Sequence, residues 1–366
     1  MRLRTVLTTV TAALAAATCL TAAGPASTGS YGSANSSGSA NSYGSHACSP
    51  AVSLDRFSDA LDKTTYQGTF VGNLSALAVD RDGSLAALSD RSSLFDLNAK
   101  TSAPKKVVQL ADENGAALDS EGLVIDLPHA RTDSRGGTPI GTLLITSETE
   151  PSIRRYSRDG KILDRLPVPS SLLVAPAGRA TYNQTFEGLT MLPGGHTLLA
   201  SMEYALAGDS AGIVRFQTWN RTKGDHFKLG AQYAYRTDDA VQGVPEVQAT
   251  PDGRLLVLER GFTAGVGNTV RLYLADPRRA TDTSGIENLT GQPGVHLIKK
   301  TLLTDIATCP TLGATAKQPQ PNPLLDNIEG MTITGQEKGR LKVLLVSDDN
   351  QNAAQTTRFY YLRVRV

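Results

Sequence analysis

Five segments of the chain repeat one short pattern, and this repetition limits its fold more than any other feature. They are 74–80 (LSALAVD), 120–126 (SEGLVID), 186–192 (FEGLTML), 245–251 (PEVQATP) and 328–334 (IEGMTIT). Each reads as a short strand with alternating apolar residues. A carboxylate opens four of them, at Glu121, Glu187, Glu246 and Glu329, and Ser75 opens the first. A turn follows, as at Asp82-Gly83, Gly194-Gly195 and Asp252-Gly253. Then comes a second strand rich in Leu and Val: SLAALSD, TLLITSE, TLLASME, RLLVLER, KVLLVSD. It reaches an acid every time, at Asp90, Glu148, Glu203, Glu259 and Asp348. Strand, tight turn, strand is the signature of a β-hairpin.

Third strands are predicted at 152–156, 212–216 and 269–273, and fourth strands at 161–166, 227–235 and 295–303. Repeated units of four antiparallel strands specify an all-β fold, the β-propeller, in which each unit is a blade. Five blades are counted; a sixth requires that the longer stretch between Glu246 and Glu329 conceal one. The segment 66–71 precedes the first repeat and is expected to supply the outer strand that closes the last blade. No break interrupts 48–366, so one propeller domain is expected there.

In a propeller the first strand of each blade lines the central channel, so equivalent repeat positions share one ring. Glu121, Glu187, Glu246 and Glu329 should crowd one mouth, with the acids of the second strands nearby. Like charges in a cleft raise one another's pKa unless a cation neutralises them. Oxygen ligands in this number suit Ca²⁺, with Mg²⁺ as the alternative, better than zinc. The plainer reading of any one acid is a lock between blades through neighbouring backbone amides.

The chain starts with Arg2 and Arg4, an apolar stretch at 6–23 and small residues at Gly24-Pro25-Ala26, so 1–26 reads as a secretory signal peptide. Residues 27–47 are largely Ser, Gly and Asn and read as a flexible tether. The mature chain keeps Cys48 and Cys309, which in an oxidising compartment are expected to form a disulfide; two buried thiols are the alternative. Setting aside Arg2 and Arg4, 34 of the 36 basic residues face 35 acidic ones. No basic stripe marks a nucleic-acid partner. The expected product is a secreted or extracellular monomer with no lasting membrane span; association with the cell envelope is the alternative.

The strings DSEGLVID, SETEPSIRRYSRDGKILDRLPVP, TFEGLTMLPGG, SMEYAL, LLVLERGF, NIEGM and LLVSDDN occur in that order from about residue 72 onward. They resemble the phytase-like family of secreted bacterial proteins, described as having an esterase-like activity of phytase. The resemblance implies a propeller and metal-assisted phosphoester hydrolysis. It points to Glu121, Glu187, Glu329, Glu148, Glu203, Asp348 and Asp349 as the active groups. Calcium-dependent propeller phytases share the architecture only. The chain departs from the pattern at Ser75, which replaces an acid, and at Pro245-Glu246-Val247, which lacks the glycine after Glu; those blades are expected to contribute less.

The expected function is hydrolysis of a small-molecule phosphomonoester or phosphodiester. Asp90, Glu148, Glu203, Glu259, Asp348 and Asp349 would hold the cation. Glu187, Glu329 and Glu121 are the candidate catalytic carboxylates, with Glu187 or Glu329 as general base. Arg91 and Arg260 would clamp phosphate, or else pair with the acids beside them. The alternatives are a non-catalytic propeller that binds a ligand or an envelope partner, and a calcium-dependent lactonase-type hydrolase. A G-x-S-x-G string at 208–212 mimics a serine-esterase elbow, but Ile213-Val-Arg-Phe reads as a strand, whereas the elbow needs a helix there. His129, His196, His226 and His296 follow no repeated spacing, and no zinc motif is present.

Overall fold

In the first and fourth repeats the chain reverses on turns whose glycines take the left-handed backbone that other residues resist, with φ of 80° at Gly83 and 84° at Gly253. In a computed structural model, residues 46–127 and 141–366 are described. The expected signal peptide, all but the end of the tether, and His129 lie outside the described residues.

The chain enters through β1 (Val52–Ser58) and a small hairpin of β2 (Thr64–Tyr66) and β3 (Thr69–Val71). The first blade is β4 (Leu74–Val79), β5 (Leu85–Ser89), β6 (Ser93–Leu97) and β7 (Pro104–Gln109). The second is β8 (Ser120–Asp126), β9 (Thr142–Ser147), β10 (Ser152–Tyr156) and β11 (Ile162–Arg165). The third is β12 (Phe186–Met191), β13 (Thr197–Met202), β14 (Ile213–Arg221) and β15 (Phe227–Arg236). The fourth is β16 (Val247–Ala249), β17 (Leu255–Thr263), β18 (Gly267–Asp276) and β19 (Lys299–Asp305). β20 (Asn327–Glu337), β21 (Arg340–Asp348) and β22 (Phe359–Val364) form the fifth, completed by β1 on its outer edge. The inner strands follow one another around the channel as β4, β8, β12, β16 and β20, and β20 returns to β4. This is a five-bladed β-propeller; the stretch between Glu246 and Glu329 holds no sixth blade.

The closing strand differs from expectation. Gln67 and Gly68 take φ of 51° and 83°, so the segment 66–71 reverses in its middle and pairs with itself, Tyr66 opposite Thr69. Two successive positive φ values are the primed hairpin turn. β1 takes the outer position instead, pairing Val52 with Val364 and Ser58 with Phe359. Its Val52, Ser53 and Leu54 are buried while Asp55 and Arg56, beyond a register irregularity after Leu54, face solvent.

The core is a ring of layers between blades. One layer packs Val124, Leu144 and Ile153 of the second blade on Phe186 and Trp219 of the third, and continues to Val257 and Tyr273 of the fourth. Another joins Leu256 and Leu272 to Ile328 and Leu345. Both faces of each sheet are therefore covered, and second strands such as β5 are buried at every residue. The Leu/Val-rich second strands follow from that geometry.

Cys48 and Cys309 are bridged, 261 residues apart, joining the approach to β1 to the segment after β19. The bond thus ties the closing strand of the fifth blade to the fourth. Removing it frees a very long loop in the unfolded chain, and replacing both cysteines by Ser is expected to lower unfolding free energy by about 2–5 kcal/mol. Denaturant melts of the variant against the oxidised protein check this; coincident midpoints would show that the strand pairing alone closes the ring.

Candidate metal centre

The inner strands begin irregularly, and this irregularity builds the site. Between Ser120 and Leu123 the register of β8 on β9 shifts by one residue, so Glu121 and Gly122 together oppose Thr146. The same shift falls at Glu187-Gly188 in β12, at Glu329 in β20 and at Ser75 in β4. A β-bulge re-aims a side chain at a strand end. The glycine is required by close approach: a Cβ on Gly122 would lie 2.4 Å from the Glu187 carbonyl, and one on Gly188 would lie 2.5 Å from the Val247 amide.

A cavity of about 530 Å³ opens at this mouth. Eight carboxyl groups line it: Asp90, Asp119, Glu121, Glu148, Glu187, Glu203, Glu329 and Asp348. Two guanidinium groups, Arg91 and Arg260, join them. Among the described residues, two sets can each bring three carboxylate oxygens within 4.8 Å of one another: Asp119, Glu121 and Glu148, and Glu148, Glu187 and Glu203. Glu148 belongs to both. It is buried, and its Oε1 has no hydrogen-bond partner. An all-oxygen donor set with an orphaned buried carboxylate atom fits a hard divalent cation.

Burial sets the protonation of these groups. Desolvation, then the charges of Glu203 and Asp119, push Glu148 up to about 8. Desolvation takes Asp90 to about 7 although Arg91 opposes it, and Glu203 to about 7 although Arg260 opposes it. Desolvation, reinforced by neighbouring carboxylates, also raises Glu121, Glu187 and Asp348 well above the usual range. Without a cation, the folded protein keeps protons that the unfolded chain releases near its ordinary carboxylate values. More protons on the folded side mean stability that is full below about pH 4 and is lost as pH rises through 7 to 8. Chelated protein is expected to lose on the order of a few kcal/mol between pH 5 and 8, and millimolar calcium to reverse the loss at pH 8. Thermal melts across that range check it; a flat profile would mean that the acids are not crowded in solution.

The arginines divide. Arg260 Nη2 donates to Glu329 Oε1 at 2.8 Å and to Glu203 Oε1 at 3.3 Å, while its buried Nε has no partner. Arg91 is mostly exposed and only 3.5 Å from Asp90. Asn327 donates to Glu329 at 2.9 Å and lies 3.4 Å from Asp348. Among the described residues, Glu187 has no such cationic neighbour in hydrogen-bond contact.

Three expected members are placed elsewhere. Glu246 accepts from the amides of Val247 at 2.9 Å and Leu189 at 3.2 Å, and so locks the fourth blade to the third. Glu259 is fully buried under Tyr235, the Asp238 amide and Lys300. Asp349 binds Lys63 and accepts from the Asn73 amide at 3.0 Å. None of the three lines the cavity, so Glu259 and Asp349 drop out of the candidate cation ligands. The first two share a cause. Gly243 bridges Arg260, and the Leu258 amide bonds the Glu246 carbonyl, which leaves Val244 and Pro245 opposite Glu259. The extra residue of the fourth blade thus falls before its Glu, and Arg260 takes the place at the mouth.

Asp119 lines the cavity and was not singled out from the sequence. It stands two residues before Glu121; the equivalent positions are Asn73, Thr185 and Asn327, all polar, and Val244 in the divergent blade. That second register was the available signal. Ser210 lies in a loop before a strand, β14, as expected, and His196, His226 and His296 do not line the cavity.

A family model described as Phytase-like: Esterase-like activity of phytase matches residues 69–351. No curated protein matches the chain. Among solved structures, the crystal structure of Myxococcus xanthus glutaminyl cyclase is similar with 11% identity and a TM-score of 0.41, over 86% of this chain and 97% of that chain.

Proposed function

The chain belongs to the phytase-like family, and on that premise we propose that it is an exported, divalent-cation-assisted hydrolase of phosphoesters, with calcium as the ion. The observation that carries the reading is Glu148, a buried carboxylate shared by two oxygen triads and left with an unpartnered oxygen. Asp119, Glu121, Glu148 and Glu203 would hold the ion, with Asp90 and Asp348 beside them. When bound, calcium supplies positive charge toward phosphoryl oxygens that gain negative charge as the ester is cleaved. Arg91, exposed at the rim, attracts the phosphoryl group. Arg260, paired with Glu203 and Glu329, holds those two carboxylates at the mouth. Glu187 accepts the proton of the attacking water. It is preferred to Glu329, whose carboxylate is already engaged by Arg260 and Asn327. Export is supported by the disulfide, and among the described residues no helix is long and apolar enough to cross a membrane.

The test is hydrolysis of a phosphomonoester and phosphodiester panel, with calcium or with chelator, by the protein and by Glu187→Gln. Calcium-dependent turnover that falls about 100-fold or more in the variant is the expected result. Calcium-dependent stabilisation without turnover on any ester would favour a ligand-holding propeller, and turnover confined to lactones would favour the lactonase-type alternative.

A further inference from the structure

The fourth blade, which withholds its acids from the mouth, contributes something else. Its second strand does not stop at the acid as those of the first three blades do, but runs on through Arg260, Gly261 and Phe262 to Thr263, paired with the start of β18. Phe262 lines the acidic cavity and is 57% exposed. Val241 and Val266, 69% and 55% exposed, lie close by in the chain segments that flank this extension. Directly opposite Phe262 in the ladder is Asn268, which also lines the cavity, is 1% exposed, and has a side-chain Nδ2 with no hydrogen-bond partner. An exposed aromatic ring beside an unsatisfied neutral donor, in the wall of a cavity, is the arrangement that receives an apolar group bearing an oxygen acceptor.

Charge points the same way. The eight carboxyls exceed the two guanidiniums by six. Even with a divalent cation in each triad, two negative charges remain when all the acids are ionised. Arg260 is committed to Glu203 and Glu329, so among the described residues Arg91 is the one cation lining the cavity that is open to a ligand, and no lysine lines it. A ligand with many phosphates would bring like charge into this field without cations to meet it.

Resting on the hydrolase reading above, we infer that the site takes esters with a single phosphoryl group and an apolar, aryl-sized substituent, that Phe262 receives that substituent, and that polyphosphorylated ligands are disfavoured. Selectivity then lies in a wall that only the fourth blade provides. The phosphoryl end faces the carboxylates and the organic end faces Phe262 and Asn268.

Binding to the calcium-loaded full chain tests this independently of turnover. Phenyl phosphate, methyl phosphate and inositol hexakisphosphate are titrated calorimetrically into the protein and into Phe262→Ser, with turnover of the first two recorded in the same samples. The expected result is phenyl phosphate bound about 10-fold more tightly than methyl phosphate, with the hexakisphosphate weaker than phenyl phosphate. Phe262→Ser should erase the phenyl preference and leave methyl phosphate unchanged. Because the ring is exposed, the variant should melt with the parent. Tighter hexakisphosphate binding, a phenyl preference indifferent to Phe262, or no binding of any of the three overturns the inference. A phenyl preference without turnover overturns only the hydrolase reading, and turnover without the preference overturns only this one.

Discussion

Glu148→Gln is expected to weaken calcium binding about 100-fold or more and to reduce cation-dependent phosphoester turnover by a similar factor. No other residue belongs to both oxygen triads, so one substitution removes a charged ligand from each. The same change should stabilise the cation-free protein at pH 8. The buried carboxyl, pushed up to about 8 by desolvation and by Glu203 and Asp119, is costly to ionise there, and an amide carries no such charge. Lower affinity with a higher cation-free melting point distinguishes a lost ligand from a damaged fold. Calorimetric calcium titration together with melts in chelator reads both, and unchanged affinity would place the cation away from Glu148.

Gly122→Ala is expected to cost more than about 3 kcal/mol. The new methyl would lie 2.4 Å from the Glu187 carbonyl and 2.6 Å from Leu189 Cβ, both on the inner strand of the next blade. Relief requires two blades to move apart at the channel. That movement would also shift Glu187, so calcium affinity should fall along with stability. Gly83→Ala is the control. Gly83 sits at φ of 80° with open space around it, so only backbone strain is added, about 1 kcal/mol. Denaturant midpoints for the two variants check the contrast; equal losses would mean that the inner strands tolerate separation.

The blades were legible because each repeat is a local event: apolar alternation, a turn with glycine, then a second apolar run. The Glu-Gly pairs were legible as a pattern, although their cause was not. The glycine answers to the neighbouring blade, tens of residues away in the chain, and the bulge that aims the Glu depends on the partner strand. For the same reason Glu246 and Glu259 misled. They occupy the right places in the repeat, but the extra residue at Val244-Pro245 alters which residue of the fourth blade meets the mouth. Pro245 beside Val247 was the visible departure, and it pointed to the correct blade. Asp119 was less legible because it stands before the residue that opens its strand. The polar set Asn73, Asp119, Thr185 and Asn327 stands just outside the strand pattern, where Thr185 caps the Glu148 carbonyl and Asn327 holds Glu329. The closing strand at 52–58 was not legible because its few apolar residues say little about a partner at the far end of the chain.

A cation held by these carboxylates is what should make the mouth hydrolytic. The most direct measurement strips the protein with chelator, returns calcium stepwise, and follows bound calcium and hydrolysis of an aryl phosphoester in the same sample. Turnover is expected to be absent in the stripped protein and to rise in proportion to calcium bound, saturating with it. Full calcium occupancy without hydrolysis, or hydrolysis that the chelator leaves untouched, would contradict it.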